Sequence, residues 1–458
     1  MDGNMDYSEF LRHKQHLDPP QPRELSYTPS KLFPFQSYLV SLALNNTRFG
    51  IFADVGMGKT LMQLTWAKNV SIATGKPVMV LAPLAVTFQT EQESIKFDID
   101  GVAVSRNGEI RSQVVITNYE QLHKFNPLDF GGCVCDESGI LKSFDGQLRN
   151  AIINFMKRTE YRLICSATPA PNDFIELGSS SEALGIMGQT SMLQKFFRNY
   201  RDNCSNRRHF GETPKWQFRG HSEVPFWRWV STWARAVKKP SDIGFDDTGY
   251  NLPELMVNHH KIDVEPPDGM LFSLPCTTLA EQREESKRTI PDRCYYAAQL
   301  TKDTNKPYIA WCNRNEEAAT LKKLLPDAVE ISGADSDDSK LDKFQAFLKG
   351  DARGLITKPK IGAWGLNFQH CAHMAYFPNH SYEQWYQCVG RCHRYGQQSK
   401  VVVDVVFSPG EQRILDNMVQ KSKKADQMYS QLIEQMNSPL TVAKRTVNTT
   451  YELPGWIS

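Results

Sequence analysis

Short, almost wholly apolar segments alternate with helical patterns in two separate stretches of the chain. The first stretch contains Gly50–Ala53, Val78–Ala82, Val114–Thr117, Cys133–Asp136 and Arg162–Ser166. The second contains Tyr308–Cys312, Gly354–Thr357, His373–Phe377 and Val401–Phe407. Segments this apolar are typical of strands buried on both faces, and helices between consecutive strands favour parallel pairing. The pattern therefore predicts an α/β fold with two parallel sheets flanked by helices.

Between these stretches the sequence changes character. From Ser191 to Pro240 there are 11 Lys and Arg residues, three Asp and Glu residues and 10 aromatic residues. A chain of 458 residues is long enough for two domains and an insertion. We place a first domain at residues 1–265, with a mainly helical insertion at about 180–250, a linker at 266–290, and a second domain with a C-terminal tail at 291–458.

The overall charge balance does not indicate a polyanion partner. The net charge is +2, from 53 basic and 51 acidic residues, so any nucleic-acid surface must be a local patch. No apolar run approaches the length that spans a membrane, and the N-terminus has neither a basic nor an apolar segment. We therefore expect no membrane partner and a cytoplasmic location.

Ten cysteines are spread along the chain without paired C-x-x-C spacing. Several lie in predicted strands, which is typical of reduced thiols in a core. A denser group of histidines and cysteines lies between His370 and His393, but it spans a strand and a loop. Because spacing alone does not define a zinc site, we favour an interpretation without a metal there.

The segment Ala53–Thr60 reads Ala-Asp-Val-Gly-Met-Gly-Lys-Thr and has the pattern of a Walker A loop. It follows a predicted strand and precedes a helical pattern, so backbone N–H groups can cradle phosphates at a helix N-terminus. Gly56 and Gly58 permit close approach of the backbone. Lys59 would reach the β- and γ-phosphates, and the Thr60 hydroxyl would bind Mg²⁺. The alternative, a glycine-rich turn with a lone lysine, does not account for this full context.

Two carboxylates, Asp136 and Glu137, end another predicted strand and should lie at the same sheet edge as the phosphate loop. An Asp at this position can hold Mg²⁺, and the adjacent Glu can orient and deprotonate an attacking water. Alone, such a pair is usually a solvated loop. Together with the Walker A pattern it indicates a hydrolytic site.

Arg391 and Arg394 lie roughly 330 residues downstream, three residues apart on a predicted helix. Two arginines presented together suit the γ-phosphate, since the planar guanidinium binds phosphate oxygens in pairs and stabilises the charge of the transferred group. The alternative is an exposed basic helix face. A kinase or a simple nucleotide switch can keep its site within one domain, whereas a motor divides it. This division predicts a motor.

The motifs, from about Leu32 to Gln397, occur in the order found in superfamily-two helicase-like ATPases. They are Leu32–Gln36, which resembles the Q motif, Leu81–Leu84 (motif Ia), Val115–Glu120, Ser166–Asn172 (motif III), Gly362–Phe368 (motif V) and Gln387–Gln397 (motif VI). The form of the last motif most closely resembles the Swi/Snf branch. The compact insertion, with Trp216–His221 and Lys239–Asp242, looks like the small bacteriophage versions, which would place the protein in the cytoplasm of a bacterial host.

This resemblance implies two RecA-like domains with ATP and Mg²⁺ in the cleft between them, and DNA-stimulated hydrolysis with translocation along duplex DNA. The segment Asp136–Gly139 departs from the family's usual third and fourth residues. The implied catalytic residues are Lys59, Asp136, Glu137, Arg391 and Arg394. The implied ATP-binding residues are Gln36, Gly56, Met57, Gly58, Lys59, Thr60 and Gly365, with Thr60 and Asp136 on Mg²⁺.

Nucleic acid would cross the opposite edge of both domains, bound without reading of sequence. The expected contacts are Pro83, Asn118, Thr168 and Asn367, with Arg207, Arg208 and Arg219 of the insertion. The tryptophans of the insertion could stack on bases. The alternative is a buried helical stripe, and we favour core positions for Trp229 and Trp233.

Three functions remain open at this level. The first is a DNA-dependent ATPase motor that works as a monomer. The second is an RNA or single-strand helicase of the same superfamily, against which the form of motif VI argues. The third is a nucleic-acid-binding module that uses ATP only as a switch, against which an intact Glu137 argues.

Overall fold

The computed structural model describes residues 24–142, 146–170, 173–199, 216–248, 250–266, 275–302, 304–362 and 367–443. Gly365, Arg207 and Arg208 lie outside the described residues. None of the helices in the described ranges is both long and apolar enough to cross a lipid bilayer.

The first domain contains the elements that precede residue 240. In chain order they are α1 Pro34–Asn45, β1 Arg48–Ala53, α2 Lys59–Thr74, β2 Val78–Ala82, α3 Leu84–Lys96, β3 Val102–Val104, β4 Val114–Asn118, β5 Gly132–Cys135, α4 Gly146–Lys157, β6 Tyr161–Cys165, α5 Leu177–Leu184, α6 Gln189–Phe196, β7 Phe197–Asn199, β8 Trp216–Phe218, α7 Glu223–Ser231 and β9 Ala234–Val237.

The second domain follows, and its last helix is also the last described element. In chain order its elements are β10 Leu255–Lys261, α8 Leu279–Arg288, α9 Ile290–Lys302, β11 Tyr308–Trp311, α10 Asn315–Leu324, β12 Ala328–Ile331, α11 Asp337–Lys349, β13 Gly354–Thr357, α12 Pro359–Gly362, β14 His373–Tyr376, α13 Tyr382–Cys392, β15 Val401–Phe407 and α14 Gln412–Ala443.

Each domain is built on one parallel sheet. The first has seven strands in the order β3-β4-β2-β5-β6-β1-β9, and the second has six in the order β10-β15-β14-β11-β13-β12. Helices cover these sheets, and two separate apolar clusters pack around each of them. The predicted α/β class is therefore confirmed, and the architecture is consistent with two RecA-like domains.

All nine predicted strands are present, but the structure adds strands that the apolar pattern did not indicate. The most informative is β10, whose residues alternate between exposed and half-buried. It pairs in parallel with β15, and Asp404 accepts hydrogen bonds from Asn258 and His260 (both 2.8 Å). The second sheet thus begins at Leu255, before the predicted boundary at residue 265. The predicted linker, 266–290, contains helix α8.

The insertion combines helices with an antiparallel pair of strands, β7 and β8. Its aromatic residues pack on one another, and Trp227 and Trp233 are buried whereas Trp229 is half-buried. Because α7 ends at Ser231, Trp229 and Trp233 do not share a helical stripe, although both pack in the core. After the insertion, the chain returns to the first sheet as β9, which pairs with β1.

The C-terminal helix α14 connects the domains a second time. It begins after β15 of the second sheet and ends against the first domain, where Leu432 and Met436 are buried. The Tyr429 hydroxyl donates to the Phe52 carbonyl (2.6 Å), and Lys238 forms an ion pair with Asp426 (3.2 Å). One long helix therefore links the second sheet to the core of the first domain.

Candidate active site

A cleft of about 560 Å³ lies between the two domains. Its walls combine groups that lie far apart in the sequence. From the first domain they include Gln36, Gly56, Gly58, Lys59, Thr60, Asp136 and Glu137, and from the second domain Asn367, Gln369, Arg391 and Arg394. All five residues predicted to be catalytic therefore line one cleft.

The phosphate loop connects β1, which ends at Ala53, to α2, which begins at Lys59. Gly56 and Gly58 have φ angles of 86° and 75°, in the left-handed region that glycine adopts most easily. The Lys59 ammonium donates to the carbonyl oxygens of Ala53 (3.0 Å) and Asp54 (3.3 Å). The loop therefore has the backbone conformation and the cation that suit a bound phosphate.

Gln36 packs directly on this loop. Its side chain is buried, donates to the Met57 carbonyl (2.9 Å) and accepts from the Phe33 N–H (3.0 Å). A Cβ added at Gly58 would lie 2.3 Å from Gln36 Nε2. Gln36 thus holds the loop in place through the Met57 carbonyl. The Met57 side chain is buried.

Asp136 and Glu137 follow β5 at the edge of the sheet that carries the loop. The Asp136 carboxylate accepts from Gln63 Nε2 (2.6 Å), and its backbone carbonyl accepts from the Tyr119 hydroxyl. Burial raises the pKa of Asp136, and the neighbouring charge of Glu137 raises it further. Glu137 has a φ of 51°, which is uncommon for a residue with a side chain and places strain at this turn.

The two arginines enter the cleft from the C-terminal end of α13. Arg391 is buried and donates to Gln387 Oε1 (2.6 Å). Burial lowers the pKa of Arg391, and the negative charges of Glu137 and Asp136 oppose that shift. This electrostatic attraction crosses the interface between the domains.

Arg394 occupies a different local position from the predicted one. Helix α13 ends at Cys392, so Arg394 lies in the following turn and not on the same helical face as Arg391. Burial lowers the pKa of Arg394 to about 10, and Arg391 adds to the effect. Its buried Nε has no hydrogen-bond partner among the described residues. An anion in the cleft would satisfy such a donor.

Glycines allow the second domain to lie directly against the phosphate loop. A Cβ added at Gly390 would lie 2.8 Å from Val55 Cγ1. A Cβ added at Gly56 would lie 2.8 Å from the Tyr395 backbone nitrogen. Since real Cβ atoms do not approach that closely, both positions require glycine in this arrangement.

Three aromatic rings at one side of the cleft were not predicted as site residues. Tyr250 stacks on Tyr395 with ring centroids 4.7 Å apart, and Phe33 meets Tyr250 edge to face at 5.4 Å. Tyr250 lies in the segment between the domains. Turn residues surround it in the sequence, and they give no indication of a site. Because the rings come from three parts of the chain, only the folded structure shows that they form one surface.

Of the described residues predicted to contact nucleic acid, Pro83 and Asn118 lie side by side at the paired ends of β2 and β4. Asn118 is buried and donates to Glu120 (2.6 Å), whereas half-buried Pro83 precedes α3. Thr168 is buried and donates to Glu383 of α13 (3.3 Å), so it faces the second domain and not an open surface.

The two remaining described candidates are Asn367 and Arg219. Asn367 lines the cleft between the domains and accepts from the Gln369 N–H (3.3 Å). Its predicted role on the nucleic-acid face therefore does not match its position. Arg219 is exposed on the insertion, where its Nε donates to the Phe197 carbonyl (2.7 Å).

A second groove, of about 410 Å³, lies at the edge of the second sheet where β11, β13 and β14 end. Its lining includes Arg283, Arg314, Lys358, Lys360 and His380, and no Asp or Glu. Within the described part of the chain, none of these four Arg and Lys side chains forms an ion pair with a carboxylate. We call this region the basic groove. Its Arg and Lys residues come from three separate segments, so no local run of charge indicated it.

Comparison with known proteins gives a partial match. No family model matches the chain. An alignment of 177 residues is 29% identical to protein p41 of Acyrthosiphon pisum secondary endosymbiont phage 1. This alignment covers 33% of the present chain and 38% of the length of p41. Part of this chain is therefore similar to part of a phage protein.

Proposed function

We propose that this protein is a DNA-dependent ATPase motor of the helicase-like superfamily two, of the Swi/Snf branch. It would couple ATP hydrolysis between its domains to translocation on duplex DNA. The observation that carries this proposal is the shared cleft, in which Arg391 and Arg394 of the second domain lie opposite Lys59, Asp136 and Glu137 of the first. A site divided in this way changes when the domains move.

The donor groups in the cleft fit a magnesium–nucleotide substrate. The Thr60 hydroxyl and the Asp136 carboxylate both line it, and Mg²⁺ prefers oxygen donors of these kinds. These two residues would hold the ion, which supplies charge neutralisation for the phosphate oxygens when bound. The phosphate loop and Lys59 would hold the phosphates.

The chain's own groups account for the hydrolytic step. Glu137 would accept the proton of the attacking water, since its carboxylate is next to Asp136 and within the cleft. Arg391 and Arg394 would stabilise the negative charge of the transferred phosphoryl group. Their burial strengthens this effect, because charges interact more strongly away from water.

The basic groove supports a polyanionic partner. Its cations have no carboxylate counterpart in the groove, so phosphates of a nucleic-acid backbone would neutralise them. The groove is also linked to the active-site side of the molecule. Gln384, at the start of α13, lines the groove, and Arg391, at the end of the same helix, lines the cleft.

The choice of duplex DNA rests on motif VI, Gln387–Gln397, whose form resembles that of the Swi/Snf branch. The partial likeness to phage protein p41 accords with a phage origin. We propose in addition that the motor acts as a monomer in the cytoplasm of a bacterial host.

Steady-state ATP hydrolysis by the wild-type chain tests this proposal. It would be measured with duplex DNA, single-stranded DNA and RNA of matched length, each at several salt concentrations. We expect duplex DNA to stimulate turnover by about tenfold or more, and the stimulation to weaken as salt screens phosphate contacts. Stimulation by RNA alone would favour an RNA helicase, and ATP binding without turnover would favour an ATP-switched module.

A further inference from the structure

Helix α13 contacts the first domain, the basic groove and the cleft at successive points along its length. Its first turn carries Glu383, which accepts from Thr168, and Gln384, which lines the basic groove. Its last turn carries Gly390, packed on Val55, and Arg391, which lines the cleft. Between these ends lies Tyr386, which no part of the proposed chemistry uses.

The Tyr386 hydroxyl donates to Oδ1 of Asp54, the second residue of the phosphate loop. The same oxygen accepts from the Val55 N–H (2.5 Å). The Asp54 backbone is also fixed, because its N–H donates to the Val237 carbonyl (2.9 Å) and its carbonyl accepts from Lys59 (3.3 Å). A movement of Tyr386 would therefore reach Asp54, whose hydrogen bonds with Val55, Val237 and Lys59 lie within the first domain.

Asp54 and Tyr386 are both half-buried and meet at the interface between the domains. A cavity of about 20 Å³ beside this contact is lined by residues of both domains, including Lys238, Tyr382, Tyr386 and Tyr429. Burial raises the pKa of Asp54, which the Tyr386 hydrogen bond opposes. Burial and the nearby Asp54 raise the pKa of Tyr386, so its hydroxyl keeps its proton and remains a donor. The carboxylate thus depends on a donor from the other domain.

We propose that Tyr386 is a positioning residue for hydrolysis, which through its hydrogen bond to Asp54 sets α13 against the phosphate loop and so places Arg391 in the cleft. The inference rests on the proposed ATPase function and adds a residue that touches neither nucleotide nor nucleic acid. Tyr386 and Arg391 are five residues apart on one helix, about 7.5 Å along its axis, so a tilt at one displaces the other.

The test measures kcat, KM for ATP and thermal unfolding of the full chain carrying Tyr386→Phe. We expect kcat to fall by about tenfold, in the range for loss of a hydrogen bond to a charged group, while KM changes by less than about threefold. The unfolding temperature should stay close to that of the wild type. The matched control is Tyr382→Phe, one turn earlier in the same helix and cavity, whose hydroxyl bonds to Ser422 of its own domain. It should keep kcat within about twofold.

A pair of Asp54 variants identifies the partner. Asp54→Asn keeps an oxygen that can accept from both Tyr386 and Val55, so it should retain more turnover than Asp54→Ala. Adding Tyr386→Phe to Asp54→Ala should cause little further loss, because both changes remove the same contact. Additive losses, an equal effect of Tyr382→Phe, or a KM that rises as much as kcat falls would overturn the inference. A wild-type chain without ATPase activity would instead contradict the proposed function itself.

Discussion

The carboxyl edges of the two parallel sheets share an architecture and differ in chemistry. At the first edge, a phosphate loop with Lys59 lies beside two carboxylates, Asp136 and Glu137. At the second edge, Arg314 and Lys358 follow their strands in a groove that no carboxylate lines. One edge combines both signs of charge, as a site for a metal and a phosphate requires, and the other has the single sign that suits a polyanion backbone.

The difference shows that a repeated fold does not imply repeated chemistry, because the side chains at each edge decide the chemistry. The two edges are joined by one helix, α13, which lines the basic groove at its start and the cleft between the domains at its end. In the proposed motor, this helix would couple binding at one edge to the geometry at the other. The predictions below test the assignment of each edge and then their connection.

The largest effect is expected at the first edge, from Lys59→Ala. Loss of the loop cation should reduce ATP turnover by about 10³-fold or more, since it removes the charge held over the phosphate loop. Steady-state phosphate release would be measured. Lys76→Ala, an exposed lysine beyond the other end of α2, is the control and should retain turnover. Undiminished hydrolysis by Lys59→Ala would contradict the assignment of the cleft.

Arg391→Ala tests whether the second domain completes the site. We expect turnover to fall by about 10³-fold while ATP still binds, because an arginine of this kind acts mainly on the transition state. Calorimetry with a non-hydrolysable ATP analogue would report binding, and phosphate release would report turnover. Arg413→Ala, exposed on α14, is the matched arginine control. Equal loss of binding and turnover would indicate a ground-state role.

Gly390→Ala tests the close packing of α13 on the phosphate loop. The added Cβ would lie 2.8 Å from Val55 Cγ1, so the helix must shift away from the loop. We expect a loss of kcat of about tenfold, because small displacements of catalytic groups reduce turnover strongly. At Gly188 the nearest atom to an added Cβ is 3.9 Å away, which makes Gly188→Ala the control. Unchanged kcat would show that this approach is not needed.

At the second edge, the double change Arg283→Ala with Lys360→Ala should weaken duplex DNA binding by about tenfold. It should also lower the slope of log affinity against log salt by about 2, since each cation neutralises about one phosphate. Fluorescence anisotropy across a salt series would measure both quantities. The control pair Lys323→Ala with Lys349→Ala removes two exposed lysines of the same domain outside the groove. An unchanged slope would exclude the groove as a phosphate-binding surface.

The smallest effect is expected from two buried carboxylates, Asp404 and Asp136, whose pKa values shift in opposite directions. Burial raises the pKa of Asp404, but hydrogen bonds from His373, Asn258 and His260 outweigh it and hold that pKa at about 2. Asp136 instead has a raised pKa. The Asp404 contribution to stability is therefore complete above its unfolded pKa of about 3.9 and is lost as the pH falls towards 2.

Urea unfolding of the wild type and of Asp404→Asn would measure this contribution. We expect the variant to be less stable at neutral pH, and the difference between the two proteins to shrink between about pH 4 and pH 2. As the pH is lowered, turnover should begin to decline before stability does, because Asp136 has a raised pKa and is protonated at a higher pH than Asp404. A stability difference that does not change with pH would show that the Asp404 charge has no role in stability.

The strongly apolar strands could be predicted from sequence, and the weaker ones could not. Strands such as Val78–Ala82 are buried along their whole length, so composition alone reveals them. Strand β10 could not be predicted, because its residues are exposed or half-buried and its pairing partner, β15, lies more than a hundred residues away. The predicted boundary at residue 265 failed for the same reason, since pairing with β15 decides the domain of β10.

The site shows a similar division. The positions of Lys59, Asp136 and Glu137 at one sheet edge could be predicted, because Lys59 begins the helix after β1 and the two carboxylates directly follow β5. The positions of Thr168 and Asn367 depended on how the domains pack, and both lie at the interface between the domains, away from the predicted nucleic-acid surface. The basic groove could not be predicted either, because its cations are isolated in sequence and meet only at the sheet edge.

The sequence by itself determined two parallel sheets, a phosphate loop followed by a helix, and a pair of carboxylates at the same edge. These features follow from local periodicity and from the conformations that glycine permits. Only the tertiary structure decided that Arg391 lies near Glu137, that Tyr386 donates to Asp54, and that separate cations form a groove. Such contacts depend on strand order and on the packing of one domain against another, which no short segment of the chain encodes.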